Sequence, residues 1–258
     1  MACLCAVRTR RTVDLAVHLA RREVASAQRL TILGSAWPVV RQLAQLGILV
    51  LVFSRFLDIG IENFALFVFC GLIVWNWFSA AVPVASMSVL AKRHLALQPG
   101  FPVAIIPMVA VVVPLIDVLV VLPIFGGLVA VEGELRWSAL ALPLVLAVEL
   151  VLLIGVAWLV AGVSVYLRDI PNALVVVMTL LFYVSPIFYD REIVPEDYEW
   201  VLDVNPVAVL IEAARALVLD RPGPSALELA WVTVFSCAVA VLGFLAFRRL
   251  QRNFADEL

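Results

Sequence analysis

Six long stretches of apolar residues follow one another along this chain of 258 residues. They lie at residues 36–56, 64–83, 101–125, 137–163, 172–189 and 229–247. A helix needs about 20 largely apolar residues to cross a hydrocarbon core of roughly 30 Å. Because lipid offers the backbone no hydrogen bonds, membrane spans are helices or closed barrels, and these unbroken stretches lack the alternation of barrel strands. The stretches therefore predict an all-α integral membrane protein with six transmembrane helices.

Composition supports the same class of protein. The chain is 64% hydrophobic and 15% charged, with a mean hydropathy of +1.09, whereas soluble domains are roughly 45–50% apolar and about 25% charged. The first stretch is the least typical, because only a short uncharged run separates Arg41 from Arg55. We expect its helix to begin earlier and Arg41 to reach toward the membrane interface.

The distribution of charge predicts the orientation of the spans, because Lys and Arg in short loops stay on the cytoplasmic side. Basic residues are concentrated before the first stretch, after the second and fourth stretches, and after the sixth. Glu132, Glu134 and an acidic segment at 190–203 lie in the alternate loops. Both termini are therefore predicted to be cytoplasmic. The predicted regions are a cytoplasmic N-terminal segment at 1–35, a six-helix transmembrane domain at 36–247 and a cytoplasmic tail at 248–258.

The N-terminal segment has the pattern of an amphipathic helix. Its charged residues fall mainly on one face, and its apolar residues recur at spacings of four and three on the other. The apolar positions are Val13, Val17, Ala20, Val24 and Ala27. This pattern predicts an interface helix that lies in the inner headgroup layer against membrane lipids. The alternative is a disordered basic tail.

The chain lacks the residue patterns of the common catalytic and nucleotide sites. A P-loop needs GxxxxGK[ST] to hold phosphates, but the single lysine, Lys92, is not in such a motif. Two histidines and scattered cysteines form no metal-binding pattern, and no nucleophile elbow is present. We therefore expect no catalytic residues, no metal and no cofactor in this chain. A membrane-embedded enzyme of envelope synthesis is kept as an alternative.

Six motifs, in order along the chain, resemble the permease subunit of ABC-2 type exporters. They resemble most the branch that moves polysaccharides and polyol phosphates, such as O-antigen, teichoic acid and galactan-like glycans. The motifs are TILGSAWPVV, GLIVWNWFSAAV, FPVAIIP, VYLRDI, YVSPIFYD and DVNPVAVLIEAAR. Two departures occur: Val103 and Ala104 replace a basic-acidic pair, and Arg41 and Gln42 replace an Asn-Pro.

The resemblance implies a function and its partners. A homodimer of the permease would form the channel for a lipid-linked glycan, such as the O-antigen of lipopolysaccharide, in the bacterial inner membrane. Two copies of a separate ABC ATPase subunit would bind ATP and Mg and power the export. No nucleic-acid partner is implied. The permease of an ABC-2 drug or lipid exporter is the alternative.

The resemblance also implies where the ATPase docks. Segment 92–102 corresponds to the family's coupling helix, and the turn at 168–170 is expected on the same face. The coupling candidates are Lys92, Arg93, His94, Leu97, Gln98, Arg168 and Asp169. Segment 190–220 resembles short re-entrant periplasmic helices between the fifth and sixth spans. Charges in these loops have a simpler alternative role, which is to hold each loop in water.

Aromatic residues near the middle of the second stretch are candidates for lining the pore. Trp75, Asn76, Trp77 and Phe78 lie there, whereas interfacial aromatic residues prefer the ends of spans. Aromatic faces stack on sugar rings, so these residues and Tyr183 are candidates for contact with substrate. Packing between helices is the alternative.

Two carboxylates, Asp117 and Glu149, lie within predicted spans. Ionised groups are costly there, so each has to be neutral, paired or facing water. Their similar depths on antiparallel helices place them where they can meet and share a proton. A proton relay would point to ion-driven export. Hydrogen bonding of protonated acids to neighbouring helices or to a wet pore is the alternative, and it is favoured because the family resemblance supplies ATP as the energy source.

Overall fold

The computed structural model describes residues 14–25, 34–56, 60–134, 136–219 and 221–258. Much of the predicted N-terminal segment therefore lies outside the described residues. The described residues form helices and connecting turns without a strand, which confirms the all-α prediction. In chain order the α-helices are α1 (14–25), α2 (Trp37–Val50), α3 (Phe64–Ala91), α4 (Arg93–Ala96), α5 (Ile105–Val131), α6 (Leu142–Tyr166), α7 (Ile170–Val184), α8 (Trp200–Val204), α9 (Pro206–Leu219), α10 (Ala226–Leu250) and α11 (Phe254–Glu257).

Five helical segments are long and apolar enough to cross a membrane. They are Trp37–Ser54, Phe64–Ala91, Ile105–Val131, Trp137–Tyr166 and Ala226–Glu257. The first continues α2 through a π-helical turn, and the fourth includes a 3₁₀ turn before α6. These segments confirm that the chain is an integral membrane protein.

Helix α7 is apolar but only 15 residues long. At about 1.5 Å per residue it is shorter than the hydrocarbon core, so the sixth crossing stays a prediction. The helix ends where Pro186 forces its neighbour out of the helical conformation, since Ser185 has φ −79° and ψ 139°. The Tyr189 hydroxyl then donates to the freed carbonyl of Val184 at 2.7 Å.

Helix α3 is the centre of the bundle. It contacts α2, α5, α6, α7 and α9. Of the residues in its most apolar 18-residue stretch, 78% are buried. Its sequence is apolar on all sides, as expected for a helix surrounded by others. In the corresponding 18-residue stretches of the helical segments that contain α2 and α10, only 11% and 17% of the residues are buried. Both outer helices therefore present long apolar faces to lipid or to another protein.

Glycine residues allow the closest helix contact, between α6 and α10. The two helices run in the same direction, because Gly155 lies against Ala240 and the Tyr166 hydroxyl donates to the Leu250 carbonyl at 2.8 Å. A Cβ at Gly155 would lie 2.5 Å from the Ala240 nitrogen, and one at Gly243 would collide with the Gly155 backbone. Small residues let the backbones of membrane helices approach in this way.

Two different sets of loops cover the two ends of the bundle. At one end, which we call the α4 end, lie α4, the 167–169 turn and α11, packed around a small core that includes Val89, Ile106 and Phe247. The opposite end, which we call the α9 end, carries the turn before α6 and the segment 185–225, with α8 and α9. The Ser138 hydroxyl joins the parts of this second end by donating to the Leu217 carbonyl at 2.7 Å.

Helix α1 lies within the segment where the sequence predicts an amphipathic helix. Of the predicted apolar positions, Ala20 and Val24 are partly covered and Val17 is exposed. Glu23 forms an ion pair of 3.1 Å with Lys92 at the end of α3, which attaches α1 to the bundle. Contact of α1 with membrane lipids stays a prediction. Val13 and Ala27 lie outside the described residues.

We predict that Gly155→Ala destabilises the protein by about 1–3 kcal/mol, because the added methyl group forces α6 and α10 apart. Gly126→Ala on α5 is the matched control, since no described atom outside its own stretch of helix lies within 4 Å of its added Cβ. Unfolding in mixed micelles, followed by circular dichroism during titration with a denaturing detergent, measures the difference. Equal midpoints for the two variants would contradict the close α6–α10 contact.

Candidate functional site

The predicted coupling residues lie together at the α4 end. Arg93, His94, Leu97 and Gln98 are exposed on α4 and the turn after it. Lys92 is mostly covered, because its ammonium group is engaged by Glu23. The structure therefore provides an exposed basic and apolar surface in segment 93–98, attached directly to the end of the central helix α3.

The second coupling element, the turn with Arg168 and Asp169, is exposed at the same end. Hydrogen bonds hold this end of α6 in place: the Trp158 indole donates to the Ala104 carbonyl at 2.9 Å, and Tyr166 is fixed by its bond to α10. The arrangement brings both elements to one surface, as the resemblance implied. A docking role for this surface stays a prediction.

The aromatic residues of α3 lie inside the chain. Trp75, Trp77 and Phe78 are buried, and the Trp77 indole donates to the Val111 carbonyl of α5 at 3.1 Å. The rings of Trp75 and Phe182 of α7 pack edge to face, with their centroids 5.7 Å apart. Their visible role within one chain is packing between helices, and pore lining stays a prediction for them.

Asn76 and Tyr183 differ from these aromatic residues in being accessible. Asn76 is partly exposed beside a small notch between α2, α3 and α5. Tyr183 is exposed on α7, next to Phe182 and Phe188. Of the five pore candidates, these two remain available to a substrate or a second chain.

The two carboxylates within the spans do not form the pair that their depths predicted. Asp117 instead lies 3.5 Å from the Arg41 guanidinium. Glu149 is completely buried, and neither of its carboxyl oxygens has a hydrogen-bond partner among the described residues. Depth along a helix does not fix the direction of a side chain, and Asp117 faces α2 rather than α6. Arg41, predicted to reach the interface, lies level with the middle of α5.

A buried arginine holds the α9 end together. Arg215 of α9 is only 4% exposed. It donates to the Phe67 carbonyl of α3 at 3.1 Å and to the Ile187 carbonyl at 2.7 Å, and its guanidinium lies 3.5 Å from the centre of the Phe67 ring. Gly71 allows the Ile187 backbone to approach α3, because an added Cβ would lie 3.2 Å from it. Arg215 therefore connects α9, α3 and the segment after α7.

A second arginine, Arg191, gathers carboxylates around a cavity of about 480 Å³ at the same end. It pairs with Glu212 and Glu199 at 3.6 Å and with Glu228 at 3.5 Å, and it also bonds Asp203. Burial raises the pKa of the Glu212 carboxyl, and the nearby Arg191 charge opposes that shift. Burial likewise lowers the pKa of Arg215, to about 10, so this guanidinium stays positively charged at neutral pH.

The charge pattern marked 190–203 as acidic, and the resemblance implied re-entrant helices at 190–220, but neither singled out Arg191 or Arg215. The signal for Arg215 was present: it is a single cation within an apolar helix that begins at Asn205-Pro206. Asn205 caps that helix, since its side-chain oxygen accepts from the Val207 amide at 3.0 Å. A cation on a helix that is otherwise mostly apolar usually has a specific buried partner.

The geometry agrees with comparisons to known proteins. The family model for ABC-2 type transporters matches residues 15–219, so this chain belongs to the ABC-2 type transporter family. It is similar to two O-antigen export system permease proteins RfbA from Klebsiella pneumoniae, at 25% and 23% identity. It is also similar to an RfbA protein of Myxococcus xanthus, at 24% identity. Each alignment covers 95% of this chain and 95% of the relative.

Family membership confirms the resemblance found in the sequence motifs. Together with the long apolar helices, it identifies a multi-pass protein of the bacterial inner membrane. ABC-2 membership also identifies a transport permease rather than an enzyme.

We predict that Arg215→Met lowers the stability of the chain by about 1.5–3 kcal/mol, because two charge-assisted hydrogen bonds are lost in a buried place. Arg221→Met is the matched control: Arg221 also lies over the Phe67 ring, at 4.9 Å, but it is partly exposed and pairs with Asp190. Its loss should cost only about 0–1 kcal/mol. Thermal unfolding in micelles measures both. A larger loss for Arg221→Met would contradict the role given to Arg215.

Proposed function

We propose that this ABC-2 family member is the permease subunit of an ATP-driven exporter that moves a lipid-linked polysaccharide across the inner membrane. The observation that carries the proposal is its similarity, over 95% of its length, to O-antigen export permeases from two bacterial species. A match of this extent includes the loops at both ends as well as the apolar spans. The substrate class is accordingly a cell-envelope glycan of the O-antigen type.

The proposed orientation places the α4 end in the cytoplasm and the α9 end outside. Basic residues at the α4 end, Arg93, Arg168 and the arginines that end α10, support this orientation, because such residues stay on the cytoplasmic side. The carboxylates gathered around Arg191 occupy the other end. In this orientation α8 and α9 are short helices that dip into the outer side of the bundle and narrow the exit of the path.

The path itself is proposed to form between two copies of the chain. The exposed apolar faces of α2, α7 and α10 are available to lipid or to a second copy of the chain. Polar groups among apolar helices are expected to face a protein interface or a wet cavity rather than lipid. Arg41 and Asp117, which are both partly exposed, therefore favour a second copy or a wet path beside α2 and α5.

A separate ATPase subunit, present in two copies, is proposed to bind ATP and Mg and to dock at the α4 end. The exposed surface of α4 supports this proposal. Leu97 is an apolar side chain that is 46% exposed beside Arg93 and His94, so this surface offers a partner both an apolar contact and positive charge, as the centre and rim of an interface do.

We predict that Leu97→Asp abolishes the display of the glycan on the cell surface while leaving membrane insertion intact, because a buried charge in the docking site opposes binding of the ATPase. Leu227→Asp is the matched control, since Leu227 is exposed at the start of α10, at the opposite end. Surface glycan is measured on cells that carry each variant as their only copy, and insertion by the amount of chain in washed membranes.

Crosslinking gives the complementary readout. In a chain whose native cysteines are replaced, Arg93→Cys should crosslink to the ATPase subunit, and Ile193→Cys at the other end should not. Normal glycan display by Leu97→Asp, or reaction of the residue-93 thiol with an impermeant reagent added outside intact cells, would refute the proposed docking and orientation.

A further inference from the structure

Four polar side chains surround one small notch in the apolar bundle. Arg41 and Gln42 come from α2, Asn76 from α3 and Asp117 from α5. The notch has a volume of about 20 Å³, and its other walls are Pro38, Trp77, Ala80, Pro114 and Val118. That volume is close to the space needed for one water molecule or one hydroxyl group.

The notch lies beside the middle of α3 and α5 and beside the first two turns of α2. Asn76 and Asp117 are each close to the middle of a helix that is long enough to cross the membrane. Ionisable and amide groups at that depth are costly unless they have partners or a function.

The hydrogen bonds among the four polar side chains around the notch leave one donor unsatisfied, on Gln42. Its side chain is 5% exposed, and its amide nitrogen has no hydrogen-bond partner among the described residues. A buried donor without a partner is destabilising, so a group that enters the notch and accepts this hydrogen bond is favoured. Gln42 is thus a second observation, independent of the Arg41–Asp117 pair, that points to a ligand.

We propose that this notch is a binding site for single hydroxyl groups of a neutral carbohydrate, placed beside the export path. A hydroxyl both donates and accepts hydrogen bonds. It can accept a hydrogen bond from the Gln42 amide while it donates one to the Asp117 carboxylate. The Asn76 amide can either donate to the hydroxyl or accept from it. Planar amide and carboxylate groups offer these bonds at fixed angles, which suits a ligand with many hydroxyls.

The charge of the notch selects neutral ligands over anionic ones. The Arg41 guanidinium lies 3.5 Å from Asp117, so their charges balance. A phosphate group entering the notch would meet the Asp117 carboxylate as well as the cation. A carbohydrate hydroxyl has no net charge and avoids this repulsion, and it can exchange with water at little cost. Weak, exchangeable bonds let a polymer with repeated hydroxyls move past the site.

This inference rests on the proposed function, and it adds which residues would contact the sugar. The test uses the purified chain in lipid nanodiscs without the ATPase. The probe is an alkyl maltoside that carries a diazirine on its sugar, and mass spectrometry locates the crosslinked peptides. We expect labelling of α2, α3 and α5 peptides around the notch, competed by unlabelled dodecyl maltoside and not by its fully O-methylated analogue.

Variants separate the notch from general glycolipid binding. Gln42→Leu and Asn76→Leu should each reduce labelling by about fivefold or more, since each removes a hydrogen bond to the sugar. Gln45→Leu, also on α2 but outside the notch, should label like the unmodified chain. Unfolding midpoints within the range of the control show that the variants are folded.

The inference is overturned if Gln42→Leu and Asn76→Leu label as the unmodified chain does, if the O-methylated analogue competes equally well, or if phosphatidylglycerol displaces the probe. Any of these results in a chain that still restores surface glycan to cells rejects the notch alone. Failure of the unmodified chain, with its ATPase, to restore surface glycan rejects the proposed function itself.

Discussion

Polar groups among apolar helices have to find a partner inside the protein or face water, because lipid supplies neither donors nor acceptors. Most polar side chains of this bundle follow that constraint. The indoles of Trp77 and Trp158 each donate to a backbone carbonyl of α5 or of the turn before it. The Ser164 and Ser236 hydroxyls donate to carbonyls one turn earlier in their own helices. Among the described residues, Gln42, Glu149 and Glu212 each have a buried polar atom without a hydrogen-bond partner. Gln42 and Glu149 are the informative ones, because they lie on the long apolar helices.

The same constraint explains how the two ends of the bundle are connected. Helix α3, about 42 Å long at 1.5 Å per residue, is buried along most of its length. Arg215 fixes its first turns to α9, and the ion pair of Lys92 with Glu23 fixes the end of α3 to α1. In the proposed exporter, ATPase subunits docked on α4 would act directly on this helix. A displacement of α3 at the α4 end would then also move the α9 end, where α8 and α9 lie.

The sequence was sufficient for the helical membrane architecture, since long apolar runs have few other solutions. It could not give side-chain direction. Asp117 and Glu149 have similar predicted depths, yet Asp117 turns toward Arg41, and the Glu149 carboxyl has no hydrogen-bond partner in the part of the chain that the structure describes. Aromatic content marked α3 as unusual, but Trp75 and Trp77 are enclosed by neighbouring helices that only the folded chain reveals. The hydrogen bond from Arg215 to the Phe67 carbonyl joins residues 148 positions apart. Composition and local spacing cannot predict such a long-range contact.

The most direct test of ATP-driven glycan export is movement of a lipid-linked glycan in proteoliposomes that contain only this chain and its ATPase. Access of an added glycosidase to the glycan reports which leaflet holds it. If export is driven by ATP, the glycan changes leaflet when ATP and Mg are added, a non-hydrolysable ATP analogue does not replace ATP, and an uncoupler has no effect. Movement without the ATPase subunit, driven by an imposed proton gradient and abolished by the uncoupler, would contradict ATP-driven export and would assign the buried Glu149 to ion-coupled transport.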